Sequence, residues 1–292
     1  MKMGIIGVGV MGEPMARNLH TAGFAVTVYN RTASRCAPLR EAGLTVAATA
    51  QDVIDACDAI ILMLPGHEEI DQVLGRDAQG KITAAVAGKT LIVMATVSPA
   101  YSTTLGNAIK AAGSRYIEAP VSGSRKPAET GQLVILASAE DDSHIDAVQP
   151  AFDALGKKTV RCGAVPTAMR MKLANNLLLI ASFEALSEAA HFAQRIGLDM
   201  PLFFEMVQAG PLANDVVRMK VPKLLADDFA EQAPIRHVSK DIGLVCAEAQ
   251  RCETWLPIAQ ANRELFGRAI RRGLASDDAI GIIKVLREGV DA

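Results

Sequence analysis

The sequence predicts an α/β N-terminal domain built on a mostly parallel sheet, then a long connecting helix and an all-α C-terminal domain. Three observations predict it. A glycine-punctuated strand–loop–helix–strand unit opens the chain, short apolar strands alternate with helical patterns as far as about Cys162, and only helical patterns follow Pro166. Alternation of this kind implies parallel strands with helices on both faces of the sheet. The expected divisions are 1–163, 164–195 and 196–292.

The opening unit carries the sharpest signal. An apolar strand, Met3 to Ile6, runs into Gly7-Val8-Gly9-Val10-Met11-Gly12, a helical pattern from Pro14 to Ala22 follows, and a second strand, Ala25 to Tyr29, ends at Asn30-Arg31-Thr32. Gly7 permits the tight turn off the strand, Gly9 lets a pyrophosphate approach the backbone, and Gly12 lets the helix pack close on the sheet. The helix N-terminus then offers N–H groups and a positive dipole end to phosphates. A lone G-x-G-x-x-G is weak evidence. Set in a complete βαβ unit, it marks a dinucleotide-binding Rossmann domain. The end of the second strand discriminates between dinucleotides, because an NAD site places Asp or Glu there against the ribose hydroxyls. Here the position holds neutral Asn30, then Arg31 and Thr32. A guanidinium pairs bidentately with a 2′-phosphate and a carboxylate repels it, so NADP(H) is favoured over NAD(H). The alternative for Arg31 is a solvated surface arginine.

Further strands are expected at Ala59–Met63, Thr90–Met94, Arg115–Glu118, Leu133–Ala137 and Thr159–Arg161, with helices at Ala33–Ala42, Pro99–Ala112 and Asp142–Leu155. From Met169 to Arg195 one helix runs almost uninterrupted to Gly197. Its middle is apolar nearly all round, which predicts burial on several sides. Proline and glycine then punctuate shorter helices. The chain has 292 residues, a net charge of −2, and 50% hydrophobic but only 4% aromatic residues. That balance gives no electrostatic case for nucleic acid, and no apolar run is long enough for a bilayer. Five scattered cysteines without a C-x-x-C and the lack of a signal-peptide pattern give a cytoplasmic expectation.

Four further segments are polar where the pattern is otherwise apolar. In Met171-Lys172-Leu173-Ala174-Asn175-Asn176, Lys172 and Asn176 share a helix face at i, i+4. They either serve something polar, or Lys172 snorkels to solvent while the asparagines pair with backbone. Glu118-Ala119-Pro120-Val121-Ser122-Gly123-Ser124 follows a strand, where loops line the ligand crevice of an open α/β sheet. Ser122 and the N–H groups near Gly123 suit a carboxylate, or the segment is an ordinary serine–glycine turn. Thr96 lies in Ala95-Thr96-Val97-Ser98-Pro99, where Ser98 equally reads as a helix N-cap. Lys240-Asp241 sits in an apolar helix pattern and reads either as a site pair or as a surface ion pair.

Taken in order, these segments resemble the β-hydroxyacid dehydrogenase family along the whole chain. Within it the sequence is most similar to the glyoxylate and succinic semialdehyde reductase branch, through Asn30-Arg31-Thr32 and Ser124-Arg125-Lys126-Pro127-Ala128-Glu129. The resemblance implies that Lys172 is catalytic, that Ser122 and Gly123 bind the substrate carboxylate, and that Asn176 helps to hold the substrate. It places Asp241 beside the catalytic centre, Thr96 and Lys240 near the nicotinamide, and Leu64-Pro65 on the cofactor's ribose. It also implies a homodimer or homotetramer, and no metal. The implied reaction is hydride transfer between NADPH and a small aldehyde- or keto-acid, with Lys172 as general acid, or as general base in the oxidising direction. Desolvation would lower its pKa from about 10.4 and Asp241 would raise it.

Two departures from the branch pattern stand out. Ala233 replaces an aromatic residue ahead of Pro234-Ile235-Arg236-His237-Val238-Ser239-Lys240-Asp241, which reshapes the expected pocket. Val93-Met94-Ala95 stands where many relatives carry an acid and a serine. Two other functions share the architecture: an imine reductase, which generally replaces the lysine, and a non-catalytic dinucleotide-binding module. Retained Lys172 argues against both. Glu188-x-x-His191 is read as a solvated polar face and Trp255 as a packing residue near an interface.

Overall fold

The apolar runs of the N-terminal half assemble one large sheet in the computed structural model, which describes residues 1–289. The chain forms two units, Met1–Lys172 and Leu173–Ala292. In the first, β1 (Lys2–Ile6), α1 (Gly12–Thr21), β2 (Ala25–Tyr29), α2 (Ala37–Glu41), β3 (Thr45–Val46), α3 (Ala50–Ala56) and β4 (Ala59–Leu62) follow in order. Then come α4 (His67–Leu74), β5 (Thr90–Val93), α5 (Pro99–Ala111), β6 (Arg115–Glu118), β7 (Val121–Ser122), α6 (Arg125–Glu129), β8 (Leu133–Ala139), α7 (Asp142–Leu155) and β9 (Gly156–Gly163). Among the described residues the sheet has nine strands in the order β3-β2-β1-β4-β5-β6-β8-β7, with β9 paired to β8. The first six strands are parallel in the doubly wound order, so the order reverses between β1 and β4. Ligands of such sheets bind outside the strand C-termini at that reversal.

Central strands are buried on both faces. Ala59-Ile60-Ile61-Leu62 and Thr90-Leu91-Ile92-Val93 have no exposed position, which is why they read as unbroken apolar runs. One face of the sheet packs Met3, Ile5 and Ile61 against Met15 and Leu19 of α1 and Phe152 of α7. The other packs Ile6, Ile60 and Leu91 against Ile54 of α3 and Leu105 and Ile109 of α5. Local capping sets the helix starts: Thr49 and Asp52 form a capping box on α3, and Ser98 accepts from Tyr101 N–H ahead of Pro99 on α5. The expected single helix Ala33–Ala42 is instead a 3₁₀ turn, Ala33–Cys36, followed by α2. Pro38 stands in the first turn of α2, where its missing N–H is harmless, and so starts a helix there rather than continuing one. The last strand is also longer than the expected Thr159–Arg161, and its Lys157, Lys158 and Arg161 are exposed, as suits a sheet edge.

A 29-residue helix, α8 (Thr167–Arg195), begins in the first unit and continues into the second. There follow α9 (Met200–Ala209), α10 (Asp215–Leu225), α11 (Ile235–Arg251), α12 (Pro257–Arg271) and α13 (Ile283–Glu288). Leu173, Ile180 and Phe183 of α8 pack with Ile242 of α11 and Phe266 of α12, and Phe204 of α9 packs with Val221 of α10 and Ile283 of α13. A buried ion pair, Lys220 Nζ to Asp278 Oδ1 at 2.7 Å, ties α10 to the 3₁₀ turn at Ala279–Ile282, and Asp278 Oδ2 also accepts from Ala233 N–H at 2.9 Å. One expectation fails here. α8 is not buried all round: Leu178 near its middle is 71% exposed and Phe192 near its end 62%, and Ile196 just beyond it is exposed too. Apolar composition and good helix propensity make the helix whatever covers it, so the pattern could not assign a cover to each face. Trp255 is 77% exposed. Among the described residues no helix is long and apolar enough to cross a membrane.

Candidate cofactor and substrate site

The glycine loop joins β1 to α1 on the side of the sheet where the strand order reverses. Gly7 has φ +101°, and a Cβ there would stand 2.3 Å from the carbonyl oxygen of Met63, after β4. Gly12 lies against the turn itself, since its Cβ would meet Gly7 O at 1.9 Å. Gly9 differs: a Cβ would find only Arg35 Nη1, at an ordinary 3.6 Å. The fold therefore demands glycine at Gly7 and Gly12, whereas nothing within the protein demands it at Gly9. The N–H groups of Gly9, Val10 and Met11 have no acceptor among the described residues, and Glu13 N–H closes onto Gly9 O at 3.1 Å as α1 begins. Those open donors at a helix start fit the phosphates of a dinucleotide.

Asn30 has a structural task in this loop. Its Oδ1 accepts from Val8 N–H at 3.2 Å and its Nδ2 donates to Thr32 O at 3.1 Å, tying β2 to the glycine loop. Arg31 and Thr32 are exposed just beyond. Arg35, on the 3₁₀ turn, brings a second guanidinium over Gly9, a residue the sequence reading missed. Its one signal was its closeness in sequence to Arg31, four positions on. Leu64 follows β4 and its Cδ2 would be 3.1 Å from a Cβ at Gly7, so it borders the loop, while Pro65 is exposed. Thr96 is half-buried after β5, and Met94 and Ala95 before it are core residues.

The second segment of this unit starts at Glu118, the last residue of β6, and reaches Ser122 and Gly123 through Ala119-Pro120-Val121. Ser122 is half-buried on β7. Gly123 has φ +129°, and a Cβ would press on Leu133 Cδ2 at 2.8 Å and Pro127 Cβ at 3.0 Å, so the turn requires glycine. Glu118 is fully buried. Its Oε1 accepts from Met169 N–H at 2.7 Å, its Oε2 accepts from the Ser102 hydroxyl, and Ser102 Oγ lies 2.7 Å from Tyr116 Oη. Opposite Glu118 in the antiparallel β6–β8 ladder is Ser138, whose Oγ accepts from Ala168 N–H at 3.0 Å. Burial pushes the Glu118 carboxyl above its ordinary range, opposed by the donors from Ser102 and Met169. Lys172 lies one turn further along α8 and is only 7% exposed.

In the second unit the structure brings together three of the expected residues. Asn176, 2% exposed, donates from Nδ2 to Asp241 Oδ2 at 2.8 Å. Asp241 Oδ1 lies 3.4 Å from Lys240 Nζ. With its amide nitrogen committed to Asp241, Asn176 presents Oδ1 as a buried acceptor that no donor among the described residues meets. An acceptor held in that way suits a hydroxyl on a ligand. Ala233 is half-buried, held by its N–H to Asp278 and by Ala279 N–H to its carbonyl at 2.8 Å.

A doubly wound sheet with this glycine loop defines a dinucleotide-binding domain. Residues 2–163 match the NAD binding domain of 6-phosphogluconate dehydrogenase, and residues 167–286 match the family described as NAD-binding of NADP-dependent 3-hydroxyisobutyrate dehydrogenase. The chain is 35% identical to glyoxylate/succinic semialdehyde reductase 1 of Arabidopsis thaliana over 98% of this chain and 99% of that one. It is 29% identical to 2-hydroxy-3-oxopropionate reductase of Escherichia coli strain K12, over 98% and 97% of the two chains. The fold matches 3-hydroxyisobutyrate dehydrogenase from Salmonella typhimurium with a TM-score of 0.88 at 24% identity, covering 98% and 99% of the chains. The chain belongs to the β-hydroxyacid dehydrogenase family, among its 3-hydroxyisobutyrate dehydrogenase-like members.

Proposed function

We propose that the protein is an NADPH-dependent reductase of small aldehyde- or keto-acids such as glyoxylate or succinic semialdehyde, able to run in reverse on the hydroxy acid. The observation that carries this reading is Lys172, a lysine held at 7% exposure one turn into a long helix. When bound, the reduced nicotinamide supplies the hydride. As the carbonyl oxygen gains charge, the Lys172 ammonium stabilises it and donates the proton that makes the alcohol. In the oxidising direction the neutral amine takes that proton back. Ser122 Oγ–H and Gly123 N–H are the donors for the substrate carboxylate, and Asn176 Oδ1 accepts a hydrogen bond from the hydroxyl of the hydroxy acid. Asp241 fixes the amide so that this acceptor, rather than the NH₂, faces the substrate. Gly9, Val10 and Met11 N–H groups take the pyrophosphate, and Arg31, Thr32 and Arg35 take the 2′-phosphate. Leu64, Pro65, Thr96 and Lys240 complete the cofactor side.

The chain acts as a homodimer or homotetramer, a reading supported by the uncovered apolar face of α8. The test of the function is loss of NADPH absorbance against a panel of short aldehyde- and keto-acids, with NADH in parallel. Lys172→Ala lowers turnover about 100- to 10,000-fold while NADPH binding stays near that of the parent. Equal turnover in the variant would remove Lys172 from the chemistry.

A further inference from the structure

The start of α8 is capped in part from the sheet rather than only by the residues that precede it. Thr167 N–H reaches Ala164 O at 2.9 Å and Arg170 N–H reaches Pro166 O at 3.1 Å. The two N–H groups between them have side-chain acceptors from cross-strand neighbours: Ser138 for Ala168 and Glu118 for Met169. All four first-turn donors are thus met, two of them by residues 30 and 51 positions away. Helices are usually capped by a residue immediately preceding them. Here the cap ties the helix start to the end of β6, and the residue that does so, Glu118, is also where the loop to Ser122 and Gly123 begins.

We propose that Glu118 is a positioning residue: through its bond to Met169 N–H it fixes the first turn of α8, and so Lys172, relative to the Ser122–Gly123 loop that leaves the same β6 terminus. This rests on the reading of Lys172 as general acid. Three features argue for it. Glu118 has no exposed surface, so solvent cannot replace it as an acceptor. Its second oxygen is held by Ser102, which is held in turn by Tyr116, so the carboxylate cannot rotate away without breaking a buried chain. Finally, Lys172 lies three residues beyond Met169, so a frayed first turn displaces its side chain directly. A carboxylate at a helix N-terminus is also favoured by the dipole. Glu118 touches neither substrate nor cofactor in this scheme and moves no proton.

The test uses the full-length protein and four variants. Glu118→Ala removes the acceptor and lowers kcat about 100-fold, the scale of a misplacement of about 1 Å, while NADPH affinity stays within about twofold. Glu118→Gln keeps an oxygen for Met169 N–H and lets its NH₂ donate to Ser102, so it restores kcat to within about fivefold. Hydrogen exchange of the peptide spanning residues 167–172 speeds up at least tenfold in Glu118→Ala and not in Glu118→Gln, a readout that needs no substrate. Should Glu118→Ala fail to fold, Ser138→Ala decides the matter, with kcat expected to fall about tenfold through the neighbouring N–H. Wild-type kcat and exchange in Glu118→Ala, or in Ser138→Ala where the first is unfolded, overturns the proposal. So does an equal fall in kcat and NADPH affinity. Lys172→Ala separates the two ideas: if it turns over normally the reading of Lys172 fails, and if it is silent while Glu118→Ala is normal the positioning role fails alone.

Discussion

Arg31 and Arg35 stand exposed beyond the exit of β2, and in the proposed reading they take the 2′-phosphate that distinguishes NADPH from NADH. Exposed guanidiniums contribute little to stability, so their removal should be silent in a melt and loud in binding. Arg31→Ala and Arg35→Ala each weaken NADPH binding roughly 10- to 100-fold, the worth of a charge-assisted hydrogen bond, and leave NADH binding nearly unchanged. Titration by nicotinamide fluorescence checks this, and an equal loss for both cofactors would place the arginines on the shared pyrophosphate instead. Arg31 could be proposed from the sequence because the end of the second strand of a βαβ unit is a fixed address. Arg35 was not legible, since it reaches the loop only through the 3₁₀ turn that replaces the expected helix. Asn30 stands at the same address, and its Oδ1 accepts from Val8 N–H across 22 positions, a contact no local pattern announces.

At the scale of elements, α8 carries a titrating pair as well as Lys172. Glu184 and Glu188 are i, i+4 neighbours, and burial together with the adjacent carboxylate raises Glu184 to about 7. Its folded pKa lies above its unfolded one, so the folded state holds the extra proton between about pH 4.5 and 7. Its unfavourable contribution is therefore absent below about pH 4.5 and complete above pH 7. Glu184→Gln should raise the melting temperature by roughly 3 °C at pH 8, an allowance already reduced for partial exposure, and by nothing measurable at pH 4.5. A uniform shift at both pH values would assign the gain to packing. The strands of the parallel core were legible because a strand buried on both faces is an apolar run. The reversed direction of β8 was not, because a strand's residues do not encode which neighbour it runs against. Short elements such as β3 and β7 were missed for want of a period to detect.

At the scale of the molecule, the uncovered face of α8 predicts self-association. Leu178 and Phe192 lie on a surface that a soluble monomer would keep polar. Leu178→Glu with Phe192→Glu should convert the assembly to monomers, read by light scattering behind a sizing column, and an unchanged mass would remove this face as the contact. The order of the parts, sheet first and helices after, was legible from punctuation alone. What the sequence concealed is how the sheet holds the start of α8. Glu118 and Ser138 are adjacent only because β6 and β8 pair antiparallel in one register. Slip that register by one residue and every β8 side chain changes face. The Ala168 N–H of α8 would then lose Ser138 and be stranded in the interior, at about 1–3 kcal/mol. The helix start thus works as a checksum on the sheet: the segment bearing Lys172 closes its first turn only when strands far away in sequence have been matched correctly.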